Sequence, residues 1–278
     1  MKYQVEKTSR LGNRAANEDH IGVAESNNAI LLVLADGMGG YRGGQLASKT
    51  LVNNILSQFK GANFPLQDPK IYLKELIANA HLAVIRAGNE QHPPIQPRTT
   101  CVVCLIQEAC AWWAHVGDSR LYLYRQGELI TRTTDHSQIE ELHRRGTISR
   151  QEMEKHPQRH LVTRCIGFQE LPPIPTISDK MPLEKNDLLL LCSDGLWAPL
   201  NEKMITEALF KAPLAEAVDK LAYEAESRSY PEADNISLIA LRLISVDAAK
   251  EDMSKPEGDE LLKTLDALNQ AMGKFNKP

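Results

Sequence analysis

The chain has 278 residues, with 32 Lys and Arg against 36 Asp and Glu, so its formal net charge is 32 − 36 = −4. Hydrophobic residues make up 42% and charged residues 24%, the balance of a globular protein long enough for one large core or two ordinary ones. Mild acidity argues against a chain built mainly to bind nucleic acid. No apolar run reaches the roughly 18 residues of a membrane span, and residues 1–10 lack the apolar centre of a signal peptide. The five cysteines, an odd number, fit a reducing compartment better than a disulfide framework, so cytoplasm is the expected location.

The first strand signal is 29–35 (AILLVLA), which ends at Asp36-Gly37 and a glycine-rich turn over 37–44. Helical spacing follows over 45–59, where Leu46, Leu51, Ile55 and Phe59 tend to one face, and again over 71–87. A Pro-rich link at 92–97 closes that part. The middle is strand-like at 99–106, 109–115 and 120–124, with a hairpin turn at 126–128 leading into 129–131. A polar segment covers 135–164, and within it Ser149 and Glu152 have the spacing of a capping box. A second all-apolar run, 188–192, ends at Ser193-Asp194-Gly195; a helix is expected over 214–227 and a last strand over 236–244. After Ser245 the chain becomes charged, with Pro256 in a linker-like stretch at 250–258. An amphipathic helix is expected over 260–272, with Leu261, Leu265, Leu268 and Met272 near one face. Packing on the body of the protein is its ordinary use, and partner binding the alternative.

The informative pattern is where the acids sit. Asp36, Asp118 and Asp194 each follow an apolar run, Asp234 precedes one, and Glu18-Asp19 stands just ahead of Ile21-Gly22-Val23. Any one of these alone is more often a turn than a ligand. Two similar units, LVLADG and LLCSDG, far apart in the chain, make a joint pattern. Carboxylates converging from strand ends repel unless cations neutralise them. Oxygen ligands without Cys or His favour a hard cation such as Mg²⁺, Mn²⁺ or Ca²⁺, and a pair of such ions activates water for in-line attack on phosphorus.

These residues resemble the metal-dependent type 2C (PPM) protein serine/threonine phosphatases in their bacterial form. The matching stretches are Arg14-Ala15-Ala16-Asn17-Glu18-Asp19, Leu34-Ala35-Asp36-Gly37-Met38-Gly39-Gly40, Thr99-Thr100, Ala114-His115-Val116-Gly117-Asp118-Ser119-Arg120, Leu191-Cys192-Ser193-Asp194-Gly195-Leu196-Trp197 and Ala233-Asp234-Asn235-Ile236-Ser237. They stand in family order and span most of the chain. The resemblance implies an α+β fold of two packed, mainly antiparallel sheets flanked by helices, with metals at one edge of the sandwich. It implies a phosphatase domain over 1–245, with a flap about 137–167, and an appendix over 246–278.

Residue by residue, the resemblance implies that Asp36 bridges two metals, Mg²⁺ or Mn²⁺, and that Asp194 and Asp234 complete the first metal's shell. The Gly37 carbonyl binds the second, with Glu18 or Asp19 acting on it directly or through water. Asp118 with Asp194 matches a third, weaker position. Arg14 binds the substrate phosphate, as a guanidinium fork suits phosphate oxygens, and Asn235 orders the site around Asp234. The implied reaction is hydrolysis of protein phosphoserine or phosphothreonine by a metal-bridging hydroxide, without a phosphoenzyme. Phosphoproteins are the implied substrates, a cognate kinase the implied counterpart, and a monomer without membrane insertion the implied form.

Two positions depart from the pattern. Met38 stands where eukaryotic members carry a His proposed as general acid, which leaves the acid unassigned, with a metal-bound water as the expectation. Arg98 stands where many members have Gly. The basic residues of the flap segment, Arg144, Arg145, Lys155, Arg159 and Arg164, read equally as a solvated face or as contacts to a substrate peptide.

Rival readings are weaker. The glycine run fails the dinucleotide fingerprint because position 42 is Arg. Ser119 in Gly-Asp-Ser lies mid-chain, and no His follows His160 to act as an esterase base. Strand alternation puts Cys101 and Cys104 on opposite faces, as buried small hydrophobes rather than a zinc pair. His115 is expected as a core or near-site residue, and His20 as support beside Asp19. A degenerate phosphatase fold acting as a binding module would have lost metal carboxylates, yet Asp36, Asp194 and Asp234 are all present.

Overall fold

The computed structural model describes the chain except for residues 27, 39–42, 150–151, 154–155, 157–160, 169–170 and 246–278. The chain divides into two units, Met1–Val246 and Asp247–Pro278. The second, with the expected appendix helix, lies outside the described residues, as do Lys155 and Arg159.

In chain order the first unit runs β1 (Lys2–Arg10), β2 (Asp19–Glu25), β3 (Ala29–Asp36), α1 (Gly44–Lys60), α2 (Pro69–Asn89), β4 (Cys101–Gln107), β5 (Cys110–Val116), β6 (Arg120–Arg125) and β7 (Glu128–Arg132). It continues with α3 (Gln138–Arg144), β8 (Thr176–Ile177), β9 (Met181–Pro182), β10 (Leu188–Cys192), α4 (Asp194–Trp197), α5 (Glu202–Lys211), α6 (Leu214–Ser229) and β11 (Ile236–Ser245). Two antiparallel sheets form, in the orders β1-β11-β10-β6-β7 and β2-β3-β4-β5-β8, with β9 also pairing β5.

Alternation along the strands builds the layers. In β3 and β4, Leu31, Val33, Cys101 and Val103 pack with Leu51, Ile55, Leu73 and Ile77 of α1 and α2. The residues between them, Leu32, Leu34, Val102 and Cys104, face the other sheet and meet Leu189, Leu191, Ile239 and Leu241. On the far side, Leu190 and Leu238 pack against Leu209 and Leu221 of α5 and α6. The result is helix, sheet, sheet, helix, with three apolar layers. Cys101 and Cys104 fall in different layers, as alternation requires.

Local chemistry sets the ends of these elements. Pro69 occupies the first turn of α2, and the Asp68 side chain accepts from Ile71 N at 3.0 Å. The Ser149–Glu152 capping box forms: Ser149 N–H donates to Glu152 Oε2 at 2.7 Å and Glu152 N–H to Ser149 Oγ at 3.3 Å. Gln126 and Gly127 have φ of 53° and 83°, the positive pair that a tight two-residue hairpin demands between β6 and β7.

Candidate active site

Strand register brings the acids together. β2 and β3 pair so that Asp19 and Asp36 lie directly opposite each other. Asp36 shares its face with Leu32 and Leu34, and Asp19 shares its face with Ile21 and Val23, so both lie at the rim of the inter-sheet layer. Like charges directly opposite in a sheet destabilise it, so this pairing needs a countercharge.

The second sheet supplies the facing wall. Ser193 follows β10, and its hydroxyl donates to Asp19 Oδ2 at 2.8 Å while accepting the Ser237 N–H at 3.0 Å. Asp194 opens α4 one residue later. Asp234 precedes β11 and accepts the Asn235 N–H on Oδ1 at 2.8 Å. Asp118 lies in the buried turn between β5 and β6. Asn235 orders the loop around these acids. Its Oδ1 accepts the Glu18 N–H at 2.8 Å, and its Nδ2 donates to the carbonyls of Leu11 and Ala16 at 2.8 and 3.1 Å.

Asp36 itself is held by its main chain. Its N–H donates to Thr100 Oγ1 at 3.0 Å, and its carbonyl accepts from Thr99 Oγ1 and Thr100 N, both at 2.8 Å. Thr100 in turn shares a 2.7 Å hydroxyl contact with Ser119, beside Asp118. At Gly37 a Cβ would stand 2.4 Å from the Gly44 carbonyl oxygen and 2.7 Å from that of Glu18, so only glycine fits. The Glu18 carboxylate lies over Gly44, where α1 begins, and an acid is favoured there by the helix dipole.

Electrostatics report the convergence. Burial lifts the Asp36 carboxyl well above the usual range, and the charges of Asp19, Asp194, Asp118 and Asp234 raise it further. Burial likewise lifts Asp118, with Asp194 and Asp135 adding to it. Asp19 is pushed up to about 7 by burial, against hydrogen bonds from Ser193 and Ser237, with Asp194 and Asp234 adding repulsion. Asp234 and Glu18 are raised for the same first reason.

A divalent ion fits this donor set. The donors are hard oxygens, Asp19 Oδ1 is buried with no hydrogen-bond partner among the described residues, and the space beside Gly37 excludes a side chain. Among the described residues no three acidic, His or Cys side chains close around one point as a finished cage. An arrangement that also uses the Gly37 carbonyl and water places fewer carboxylates on each ion, which is how Mg²⁺ is usually held.

Arg14 is exposed and pairs with Asp234, Nη2 to Oδ2 at 2.8 Å. His20 departs from expectation. Alternation turns it to the α1 side of its sheet, where Lys49 adds to burial in lowering its pKa, so it lies away from the Asp19 carboxylate. His115 is buried as expected and stacks on His136 at 4.5 Å between centroids. Arg98 lies over the Phe168 ring, 4.1 Å from its centroid, and its carbonyl accepts the Met38 N–H at 3.1 Å.

Between residues 137 and 167, the Ser137 cap starts α3, and Ser137 bridges Val162. Arg145, just past the end of α3, pairs with Glu141 at 3.5 Å. A pocket of about 420 Å³ is lined by His81, Arg164, Cys165, Phe168 and Ile174 among others, and by none of the clustered acids. The sequence signal for the site lay in the acids. The hydroxyls that hold them, Thr100, Ser119, Ser193 and Ser237, were visible only as residues adjacent to Asp or within the same motifs.

A layered double sheet with an acidic rim suits divalent cations, and comparison with known proteins supplies the class. The family model described as protein phosphatase 2C matches residues 7–230. The serine/threonine phosphatase stp of Listeria monocytogenes is 32% identical over 237 residues, covering 84% of this chain and 92% of that protein. The crystal structure of the Mycobacterium tuberculosis serine/threonine phosphatase PstP/Ppp superposes with a TM-score of 0.77 at 31% identity, covering 87% of this chain and 99% of that one. A structure of the PstP catalytic domain in complex with two manganese ions gives 0.73 at 29% identity, covering 87% and 99%. The chain belongs to the protein phosphatase 2C family. It is an enzyme, a metal-dependent serine/threonine phosphatase of the bacterial type.

Proposed function

We propose that the acidic rim holds two Mg²⁺ or Mn²⁺ ions and hydrolyses phosphoserine and phosphothreonine in proteins. The pairing of Asp19 with Asp36 across β2 and β3, with three further aspartates raising the Asp36 carboxyl, carries the reading. Asp36 would serve both ions. Asp194 and Asp234 would complete one shell, and the Gly37 carbonyl with Glu18 or Asp19 the other. Asp118 and Asp194 would share a weaker third ion. When bound, the cations supply positive charge against the phosphoryl oxygens and activate a water for in-line attack.

The protein's own groups do the rest. Arg14 spends one amino group on Asp234 and is 54% exposed, so further guanidinium donors reach solvent where a phosphate would sit. Asn235 and the Ser193 hydroxyl fix the acids' positions, so little reorganisation is needed when charge develops. Met38 has no proton to give, so the leaving-group oxygen takes its proton from water rather than from this side chain.

The partner we infer is a serine/threonine kinase whose products this enzyme reverses. We read the chain as a cytoplasmic monomer, with the catalytic domain over 1–245 and an appendix over 246–278. No helix among the described residues is long and apolar enough to cross a membrane.

The test is hydrolysis of p-nitrophenyl phosphate and of phosphoserine or phosphothreonine peptides with Mn²⁺ or Mg²⁺, with and without chelator. Turnover that disappears with chelator and returns with metal is expected. Metal-independent turnover, or none from folded protein with either ion, would overturn the reading.

A further inference from the structure

Behind the acids lies a ring of contacts that the proposed chemistry does not use. The Asp118 carbonyl accepts from the Trp197 indole Nε1–H at 3.0 Å. The Arg120 guanidinium lies over that indole, 3.6 Å from its centroid. Asp135 grips the same guanidinium with both oxygens, at 2.9 Å from Nε and 2.7 Å from Nη2. His136, the next residue, accepts the Gly117 N–H on Nδ1 at 3.2 Å, and Gly117 precedes Asp118. The ring begins and ends on one turn.

Each member is pinned. The Arg120 and Asp135 side chains are 14% and 7% exposed, and a planar fork on a carboxylate allows little rotation. Because His136 Nδ1 accepts, its proton sits on Nε2 and points to Thr176 Oγ1 at 2.8 Å. Gly117 has φ +107°, and a Cβ there would meet Thr100 at 2.7 Å. Trp197 closes α4, the helix that Asp194 opens. The indole therefore ties the Asp118 main chain to the element carrying Asp194. Asp135 spends both carboxylate oxygens on Arg120, so the ring stiffens the site without offering a competing ligand to its cations.

We propose that Arg120 and Trp197 are positioning residues that keep Asp118 and Asp194 at the separation a shared divalent cation requires. The inference rests on the reading of these two aspartates as ligands. Neighbouring carboxylates repel and drift apart when nothing holds them, and groups that orient metal ligands typically govern affinity by about 10- to 100-fold. Neither Arg120 nor Trp197 is assigned a contact with substrate, so their effect would pass through Asp118 and Asp194.

The experiment is Mn²⁺ titration of the full-length protein by isothermal calorimetry, with thermal melting in parallel. Trp197→Phe keeps an aromatic face under Arg120 and removes the N–H. Arg120→Lys keeps the charge and removes the fork. Asp118→Asn serves as the ligand control. We expect both positioning variants to weaken the weakest Mn²⁺ site about tenfold, with the tighter sites less affected. A lowered melting temperature with a wild-type isotherm marks a purely structural pair and overturns the proposal, even if Asp118→Asn alters binding. If Asp118→Asn itself leaves the isotherm intact, the ligand reading fails and takes the proposal with it. Should Arg120→Lys not fold, Trp197→Phe alone decides.

Discussion

Asp36 faces Asp19 across a strand pair, and three more acids act on it. Replacing it by Asn preserves shape and the main-chain hydrogen bonds but removes the charge that a cation answers. Asp36→Asn is expected to lose at least about a hundredfold in Mn²⁺-dependent p-nitrophenyl phosphate turnover, and added Mn²⁺ should no longer raise its melting temperature. Wild-type turnover in that variant would show that the ligands are wrongly assigned. Ser193 works at one remove, donating to Asp19 and accepting from Ser237. Ser193→Ala orphans a buried N–H and a carboxylate oxygen, at a cost of about 1–3 kcal/mol. That is a drop of a few degrees in melting temperature for a domain of this size, readable by calorimetry. The acids were legible because strand-like runs stop at them. A single hydroxyl carries no periodicity, so the roles of Ser193 and Thr100 emerged only from the packed structure.

At the scale of elements, the turn between β5 and β6 is tightly constrained. Gly117 combines a left-handed φ of +107° with a would-be Cβ contact of 2.7 Å to Thr100. Gly117→Ala is expected to cost more than about 1 kcal/mol, lowering the melting temperature by roughly 2–4 °C or more. It should also weaken Mn²⁺ binding, because the strain falls one residue from Asp118; an unchanged isotherm would show that this turn does not govern the ion. Helices α1, α2 and α6 and strands β3 and β10 were legible because one-sided or continuous apolar spacing spells them out. β1 was not, since it is a charged edge strand whose apolar side is only half buried. α5 is short, and its Asn201 cap, accepting from Met204 N at 3.0 Å, was not singled out in the sequence.

Across the whole molecule, the formal charge of −4 understates how unevenly the acids are placed. A carboxyl whose folded pKa exceeds its unfolded value holds its proton more tightly when folded. Its contribution to stability is complete below the unfolded pKa near 4 and is lost as pH rises through the folded value, about 7 for Asp19. The metal-free protein therefore loses this contribution between roughly pH 4 and 8. Cations bind the deprotonated ligands and reverse the loss. His136, lowered to about 3 by burial and by the charges of His115 and Arg164, acts in the opposite sense below pH 6.5 or so. That effect is common to metal-free and metal-loaded protein. The rise in melting temperature on adding Mn²⁺ should consequently grow from about pH 5.5 to 8, and a rise that is flat across that range would contradict the linkage.

The cysteines give the fold a further property. Cys101, Cys104, Cys110 and Cys192 are buried, Cys165 alone is partly exposed, and burial pushes the Cys101 thiol up to about 12. Cys101 and Cys104 sit in layers on opposite sides of one sheet. A thiol reagent reaches both only when both layers open, so joint labelling of the pair follows global unfolding rather than local breathing. The chain thus carries its own clock for kinetic stability, read by the reaction of Cys101 and Cys104 together.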